Sequence, residues 1–327
     1  MIQDLINELK KSDIEYSEDE PLAQKSTFKI GGKARLFVAP KDTKSFITTL
    51  RKTVDSNTKF FILGGGSNVV FPDGTYDGAI ISTQNLNKIT TEIEPLDANT
   101  IYVTCQAGTP ISSFINYCIK NSLTGAEQFA GLPGSVGGAT FMNARCFEKS
   151  ISDILHKTEH FTISKKYDDN EANPQIVETP FNAADWDYKK SPFQHEKDDR
   201  STERKLILSS TFKLIKAPDK DKEKIESECK KYISARIDKG HFKFPSAGSV
   251  FKNNRDFGEP SGAIIDKAGL CGTKIGNAQI APFHGNFIVN IGNATADDIK
   301  QLVKFTQNRV KKLYGFCLEP EIIFIEN

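Results

Sequence analysis

The sequence predicts an α+β fold, and three observations carry that expectation. Apolar or alternating runs such as Ile101-Tyr-Val-Thr-Cys105 and Leu206-Ile-Leu-Ser-Ser-Thr-Phe-Lys-Leu214 read as strands. Other segments place apolar residues every three or four positions, as helices do. The two kinds interleave without a regular strand–helix–strand rhythm, which points away from a parallel doubly wound sheet.

Taken in order, residues 1–12 form a first helix, amphipathic and containing acids, unlike a signal peptide. Ser26 to Ala39 reads as two short strands around a glycine turn. Phe46, Ile47, Leu50 and Val54 give a helix over 42–54, and Lys59–Leu63 reads as a buried strand. Gly78–Ser82 and Ile101–Cys105 continue as strands. Thr109 with Pro110 reads as an N-cap followed by a helix whose apolar face is Ile111, Phe114, Ile115, Cys118 and Ile119. A polar stretch covers 164–204, then comes a strand over 206–214. The charged segment Lys216–Glu223 with Pro218 marks a domain boundary, and a helix spans about 220–236. A strand at 286–291 precedes a helix capped by Thr295, carrying Ile299, Leu302, Val303, Thr306, Val310 and Leu313 and ending at Gly315. Leu318–Ile325 closes the chain as a strand.

Composition narrows the function. With 43 Lys and Arg against 42 Asp and Glu in 327 residues, the chain lacks the excess positive charge of a phosphate-gripping nucleic-acid binder. No apolar run approaches the roughly 18 residues of a membrane span. The six cysteines contain no Cys-x-x-Cys pair, which points to buried thiols in a reducing cytoplasm. His156 and His160, four apart beside Asp153, lack a third ligand of metal-binding spacing, so no metal is expected.

Two uncharged glycine loops stand out. Phe129–Asn143 holds Gly131, Pro133, Gly134, Ser135, Gly137 and Gly138 among apolar residues and so favours burial. The other, Gly64-Gly65-Gly66-Ser67-Asn68, follows a strand. Neither has the spacing of a Rossmann fingerprint, and Gly31-Gly32-Lys33 is followed by Ala34 where a P-loop needs Ser or Thr. Loops of this kind suit a phosphate or a flat ring held by backbone N–H groups, or else a tight turn in a core.

Six segments, in order, resemble the UDP-N-acetylenolpyruvoylglucosamine reductases, flavoenzymes of peptidoglycan precursor synthesis. They are Ser26–Gly32, Leu63–Asn68, Gly131–Ala139, Pro245–Asn253, Gly292–Thr295 and Leu318–Ile322. The resemblance implies a flavin-binding fold of the vanillyl-alcohol-oxidase type. Its FAD-binding domain would span 1–216 as two α+β lobes, 1–85 and 86–216, with a C-terminal substrate domain over 217–327. FAD would be held by Gly64, Gly65, Gly66, Ser67, Asn68, Gly131, Pro133, Gly134, Ser135, Gly137, Gly138 and Asn143. NADPH would reduce the flavin. UDP-N-acetylglucosamine enolpyruvate would then be reduced to UDP-N-acetylmuramate, with Tyr188, Lys252 and Asn253 binding the substrate. Ser249 matches the family's proton-donating serine, although a lone serine in a Gly-Ser loop is otherwise a turn former, and Ser246 is the competing serine in the same loop. Glu321 matches its acidic residue, with Glu319 the competitor, because alternation puts both on one face. A cytoplasmic monomer is expected.

The chain departs from the family in two places. Where the family carries Tyr-Arg-x-Ser, this chain reads Tyr188-Lys189-Lys190-Ser191, so Lys189 would act as a point charge without the planar fork of arginine. Arg145-Cys146 replaces a smaller pair, which makes Arg145 a second candidate cation. The serine loop follows Phe244-Pro245 directly, matching the family's shorter form, which lacks a further tyrosine-bearing loop. Asn143, Gln279, His284 and Asn286 lie in matched regions as further candidate binding groups. An oxidase on the same flavin fold and a non-enzymatic flavin binder are the rival readings.

Overall fold

The computed structural model describes residues 2–95, 97–163, 176–194 and 204–327, so 164–175 and 195–203 of the polar stretch lie outside the described residues. Contacts divide the chain into two compact units. One comprises Met1–Tyr16, Val38–Gly65 and Ile80–Ser234, and the other Ser17–Phe37, Gly66–Ala79 and Ala235–Asn327. This division differs from the functional domains expected at 1–216 and 217–327. Two early segments bury their apolar residues with the C-terminal part, and the first half of the helix Lys222–Asp238 packs Ile225 and Cys229 into the other core.

The first unit is built on an antiparallel sheet ordered Ile176–Pro180, Leu155–Ile163, Arg204–Lys216, Asp97–Gln106, Ile89–Glu94. Its central strand is buried continuously from Ile207 to Phe212, because both of its faces are covered. Phe212 and Leu214 pack with Ile111, Phe114, Ile115 and Cys118 of the helix Ile111–Lys120, while Ile207 packs with Ala107 and Phe193. The expected apolar face of that helix is therefore the observed one. Its cap is different: Pro110, not Thr109, is the N-cap, and the N–H of Ile111 donates to the carbonyl of Gly134. Asp42 and Ser45 form a reciprocal capping box on the helix Thr43–Asp55.

The second unit holds an antiparallel sheet ordered Ser246–Ser249, Phe287–Asn290, Ala278–Ile280, Lys274–Ile275. The helix Ala296–Tyr314 buries Ile299, Leu302, Val303, Thr306 and Val310, whereas Leu313 is 46% exposed. Thr295 and Asp298 form its capping box, and Gly315 ends it at φ 84°. The carboxylate of Asp73 adds two bonds to this helix start, from the N–H groups of Ala296 (2.6 Å) and Asp297 (3.1 Å). That tie, with Phe28, Ile30 and Val70 in the core, explains why early segments belong here.

Two expected strands shrink. Within 26–39 only Lys33–Val38 is a strand, because Lys29 and Gly31 take positive φ angles of 56° and 131°. Within 318–325 only Ile323–Phe324 forms a strand, paired in parallel with Val69–Val70, and Pro320 makes an isolated bridge to Phe251. The strand Phe60–Leu63 forms, but only Leu63 in it is buried. Among the described residues, no helix is long and apolar enough to cross a membrane.

Candidate functional site

The glycine loops work by having no side chains. In the first unit a Cβ on Gly65 would lie 2.5 Å from Gly134 Cα, and one on Gly64 would lie 2.6 Å from Ser135 Oγ. The two loops therefore touch backbone to backbone. Gly137 is equally confined, its Cβ position 2.7 Å from that of Ala107. The second loop is not a loop throughout: Val136–Phe141 forms a short helix with Ser135 as N-cap, the Ser135 hydroxyl accepting the N–H of Gly138. Pro133 is exposed, and Gly131 and Gly134 turn the chain at φ 75° and 104°. Among the described residues, the N–H groups of Gly64, Gly65 and Gly134 find no acceptor in the protein.

The remainder of the first loop belongs to the second unit. Gly66 is obligatory at φ 65°, since its Cβ would sit 2.0 Å from the Lys25 carbonyl oxygen. Its own carbonyl accepts the N–H of Thr27 at 3.0 Å. Beside it, the hydroxyls of Ser26 and Thr27 are buried without a partner, which is costly unless a ligand satisfies them. Asn68 spends its amide on the Glu321 carbonyl (3.0 Å), tying the loop to the C-terminal segment. In the second unit, the orphaned hydroxyls beside the Gly66 backbone fit a ligand that brings phosphate oxygens or polar ring edges, as FAD does.

The segment Asp187–Gln194 is docked onto the end of the glycine loop in the first unit. Asn143 is buried at φ 39°, and its amide donates to the Asp187 carbonyl (2.8 Å) and accepts the N–H of Ser152 (3.1 Å). Both ends of that side chain are thus engaged by backbone. Ser191 Oγ donates to the Phe141 carbonyl at 2.7 Å. Gln194, which sequence reasoning passed over, donates to the carbonyls of Phe141 (2.9 Å) and Lys189 (3.1 Å). Nothing in its neighbourhood in the sequence marks it. Lys189 sits half-buried at φ 56°, a left-handed backbone that costs a non-glycine residue about 1–2 kcal/mol. Tyr188 beside it is 40% exposed. Arg145 pairs with Glu148 at 2.6 Å and reaches Ser150 Oγ at 3.3 Å.

In the second unit Ser249 ends a strand and lines a cavity of about 400 Å³ with Asn253, Asp266, Cys271, His284 and Asn286. Ser246 is buried and accepts the N–H of Gly248, as a turn former does. The structure separates the two glutamates that alternation left together. Glu319 is exposed and paired with Lys252. Glu321 is half-buried, and its N–H donates to the Val250 carbonyl at 2.7 Å. The Asn253 side chain accepts the N–H of Ser261 at 2.9 Å, at the start of the helix Ser261–Lys267. Burial pushes the Cys271 thiol up to about 11, helped by Asp266, and burial lowers the His284 imidazole. The cavity wall therefore keeps both groups neutral near pH 7.

His160 is buried edge-on to Phe193, and His156 faces Tyr102 at 4.3 Å. Among the described residues, no three His, Cys, Asp or Glu side chains are grouped to hold a metal ion.

Comparison with known proteins gives a consistent picture. Residues 34–162 match the family model of the FAD binding domain, and 240–325 match that of the UDP-N-acetylenolpyruvoylglucosamine reductase C-terminal domain. The chain is 44% identical over 307 residues to the UDP-N-acetylenolpyruvoylglucosamine reductase of Treponema denticola, covering 93% of this chain and 92% of that one. It is 39% identical to the enzyme of the same name from Borreliella burgdorferi, covering 99% of each. The crystal structure of UDP-N-acetylenolpyruvylglucosamine reductase from Thermus caldophilus superposes with a TM-score of 0.70 at 27% identity, covering 96% of this chain and 99% of that one.

Proposed function

This chain belongs to the UDP-N-acetylenolpyruvoylglucosamine reductase family, and from that premise we propose how its own residues carry the reaction. The protein is an NADPH-dependent, FAD-containing reductase that converts UDP-N-acetylglucosamine enolpyruvate to UDP-N-acetylmuramate in peptidoglycan precursor synthesis. Bound FAD, reduced by NADPH, supplies the hydride. The backbone of Gly64, Gly65, Gly66, Ser67, Gly131, Gly134 and Ser135 is assigned to holding the cofactor, with Pro133, Gly137 and Gly138 shaping the loop. The orphaned N–H groups and the buried hydroxyls of Ser26 and Thr27 support that assignment. Asn68 and Asn143 belong to this set through the backbone they hold in place.

Hydride delivery to the methylene carbon of the enolpyruvyl group develops negative charge on the adjacent carbon and its carboxylate. Ser249 donates its Oγ proton to that adjacent carbon, completing addition across the double bond. Lys189 stabilises the carboxylate as a point charge, with Tyr188 beside it on the substrate. Glu321 is the acidic partner, carried on a backbone bonded to Val250, the neighbour of Ser249. Asn253 and Lys252 serve the sugar nucleotide, and Glu319 balances the charge of Lys252. The position of Ser249 in a cavity lined by Asn253, His284 and Asn286 is the observation that carries this reading. An FAD-binding domain over 1–216, a substrate domain over 217–327, a monomer and a cytoplasmic location are part of the same proposal.

The test is optical. The purified protein, reconstituted with FAD, shows the two visible bands of oxidised flavin. NADPH bleaches them, and the enolpyruvyl sugar nucleotide restores them without oxygen. A protein that takes up no FAD, or that bleaches and ignores this substrate, rejects the reading.

A further inference from the structure

Ser249 has to meet its target carbon within a few tenths of an ångström, yet the ladder that carries it is irregular. Ser246 pairs with Val289 and Ser249 with Phe287, so the register shifts between them, and Gly248 sits there at φ 73°. Such a bulge re-aims the residue beside it and locally disrupts the ladder. Ser249 keeps its pairing with Phe287, but the segment after it needs a further constraint.

Asn286 supplies that constraint. Its main-chain carbonyl accepts the N–H of Val250 at 2.9 Å. Its side chain then treats Phe251 as a strand partner would: Oδ1 accepts the Phe251 N–H at 2.8 Å, and Nδ2 donates to the Phe251 carbonyl at 2.8 Å. Both residues are buried, so neither bond has water as a substitute. On its other side the same three-residue segment is bonded to the segment that carries the acid. Phe251 bridges to Pro320, Lys252 donates to the Glu319 carbonyl, and Glu321 donates to the Val250 carbonyl. Ser249 and Glu321 are thus attached to one short segment whose remaining edge is held by Asn286 at Val250 and Phe251 and by the Ser261 hydroxyl at the Lys252 carbonyl (2.6 Å). Asn286 is itself held, since His284 Nδ1 accepts its N–H at 3.2 Å.

We propose that Asn286 is a positioning residue for the proton-transfer half of the reaction, setting Ser249 and Glu321 in register through the backbone of Val250–Lys252. The residue type follows from the task. The position needs one donor and one acceptor on a short planar group, which Asp, Ser and Ala lack in whole or part and Gln overreaches. The proposal rests on the reductase reading given above.

The two halves of the catalytic cycle separate the ideas. With the FAD-loaded protein under anaerobic stopped flow, NADPH bleaching of the flavin and its reoxidation by the enolpyruvyl sugar nucleotide are timed independently. Asn286→Ala is expected to bind FAD and bleach as wild type does, but to reoxidise about 10²-fold more slowly, the order of loss expected for a misplaced catalytic group. Its reoxidation is also expected to slow further in D₂O than that of wild type, because proton delivery has become limiting. Asn286→Ser, which keeps one of the two bonds, falls between them and serves if the alanine variant does not fold. Equal loss in both half-reactions, unchanged reoxidation, or failure of both variants to fold overturns the proposal. Failure of the wild type to reoxidise with this substrate overturns the reductase reading instead.

Discussion

The glycine loops and the serine loop solve opposite problems. Around Gly64–Gly65 and Gly131–Gly138 the backbone packs closely, and a Cβ on Gly64, Gly65 or Gly137 would meet a neighbour at 2.6, 2.5 or 2.7 Å. Around Ser249 the proposed reaction relies on side chains, on a backbone bonded to Asn286 and to the segment of Glu321. The first region is sensitive to volume and tolerant of chemistry. The second is sensitive to chemistry at single atoms. Substitutions that add a methyl group should therefore harm one region, and substitutions that delete one polar atom should harm the other.

The sharpest test of that contrast is Ser249→Ala. Turnover is expected to fall by about 10² to 10⁴, the usual contribution of a general acid, while NADPH still bleaches the flavin at the wild-type rate. A fully active variant would remove Ser249 from the mechanism. Next is Lys189→Met, expected to cost about 10²-fold in kcat with FAD still bound, since a fixed charge on the developing carboxylate is lost. Unchanged turnover would remove Lys189. Smaller in effect is Gly65→Ala, whose new Cβ meets the Gly134 backbone. Overpacking of this kind costs about 1–3 kcal/mol, so urea unfolding should shift while any FAD that remains bound supports normal chemistry. If the variant is as stable as wild type, the loops do not touch as described.

The smallest effect is a pH dependence of stability. Burial, with the nearby Arg236 charge, lowers the His241 imidazole to about 4, and burial lowers His284 as well. Unfolded, both take protons near their ordinary value of about 6.5. As pH drops from about 6.5 towards about 4, the unfolded chain binds more protons than the folded one, so stability declines. Replacing His241 by Phe should flatten that decline, read as urea midpoints at pH 7 and pH 5. An identical decline in the variant would assign the slope to other groups.

Several elements were legible from local chemistry. The helix Ala296–Tyr314 announces itself by Thr295, by apolar spacing and by Gly315. The buried face of Ile111–Lys120 was read correctly from its period. Its cap was not, because the Ile111 N–H goes to Gly134, a residue whose proximity no window around 110 can reveal. The two closing glutamates show the same limit. Alternation assigns a face within a strand, but the Lys252 that claims Glu319 is 67 residues away.

The sequence by itself determined the class of fold and the two glycine loops, because missing side chains, caps and periodicity are properties of neighbours along the chain. Only the tertiary structure decided that Asp73 caps a helix more than two hundred residues later, that Asn68 bonds to the Glu321 carbonyl, and that Asn286 completes the edge of the segment behind Ser249. Those pairings join groups brought close by burial of shared apolar cores, and a donor does not encode in its own neighbourhood which distant acceptor will satisfy it.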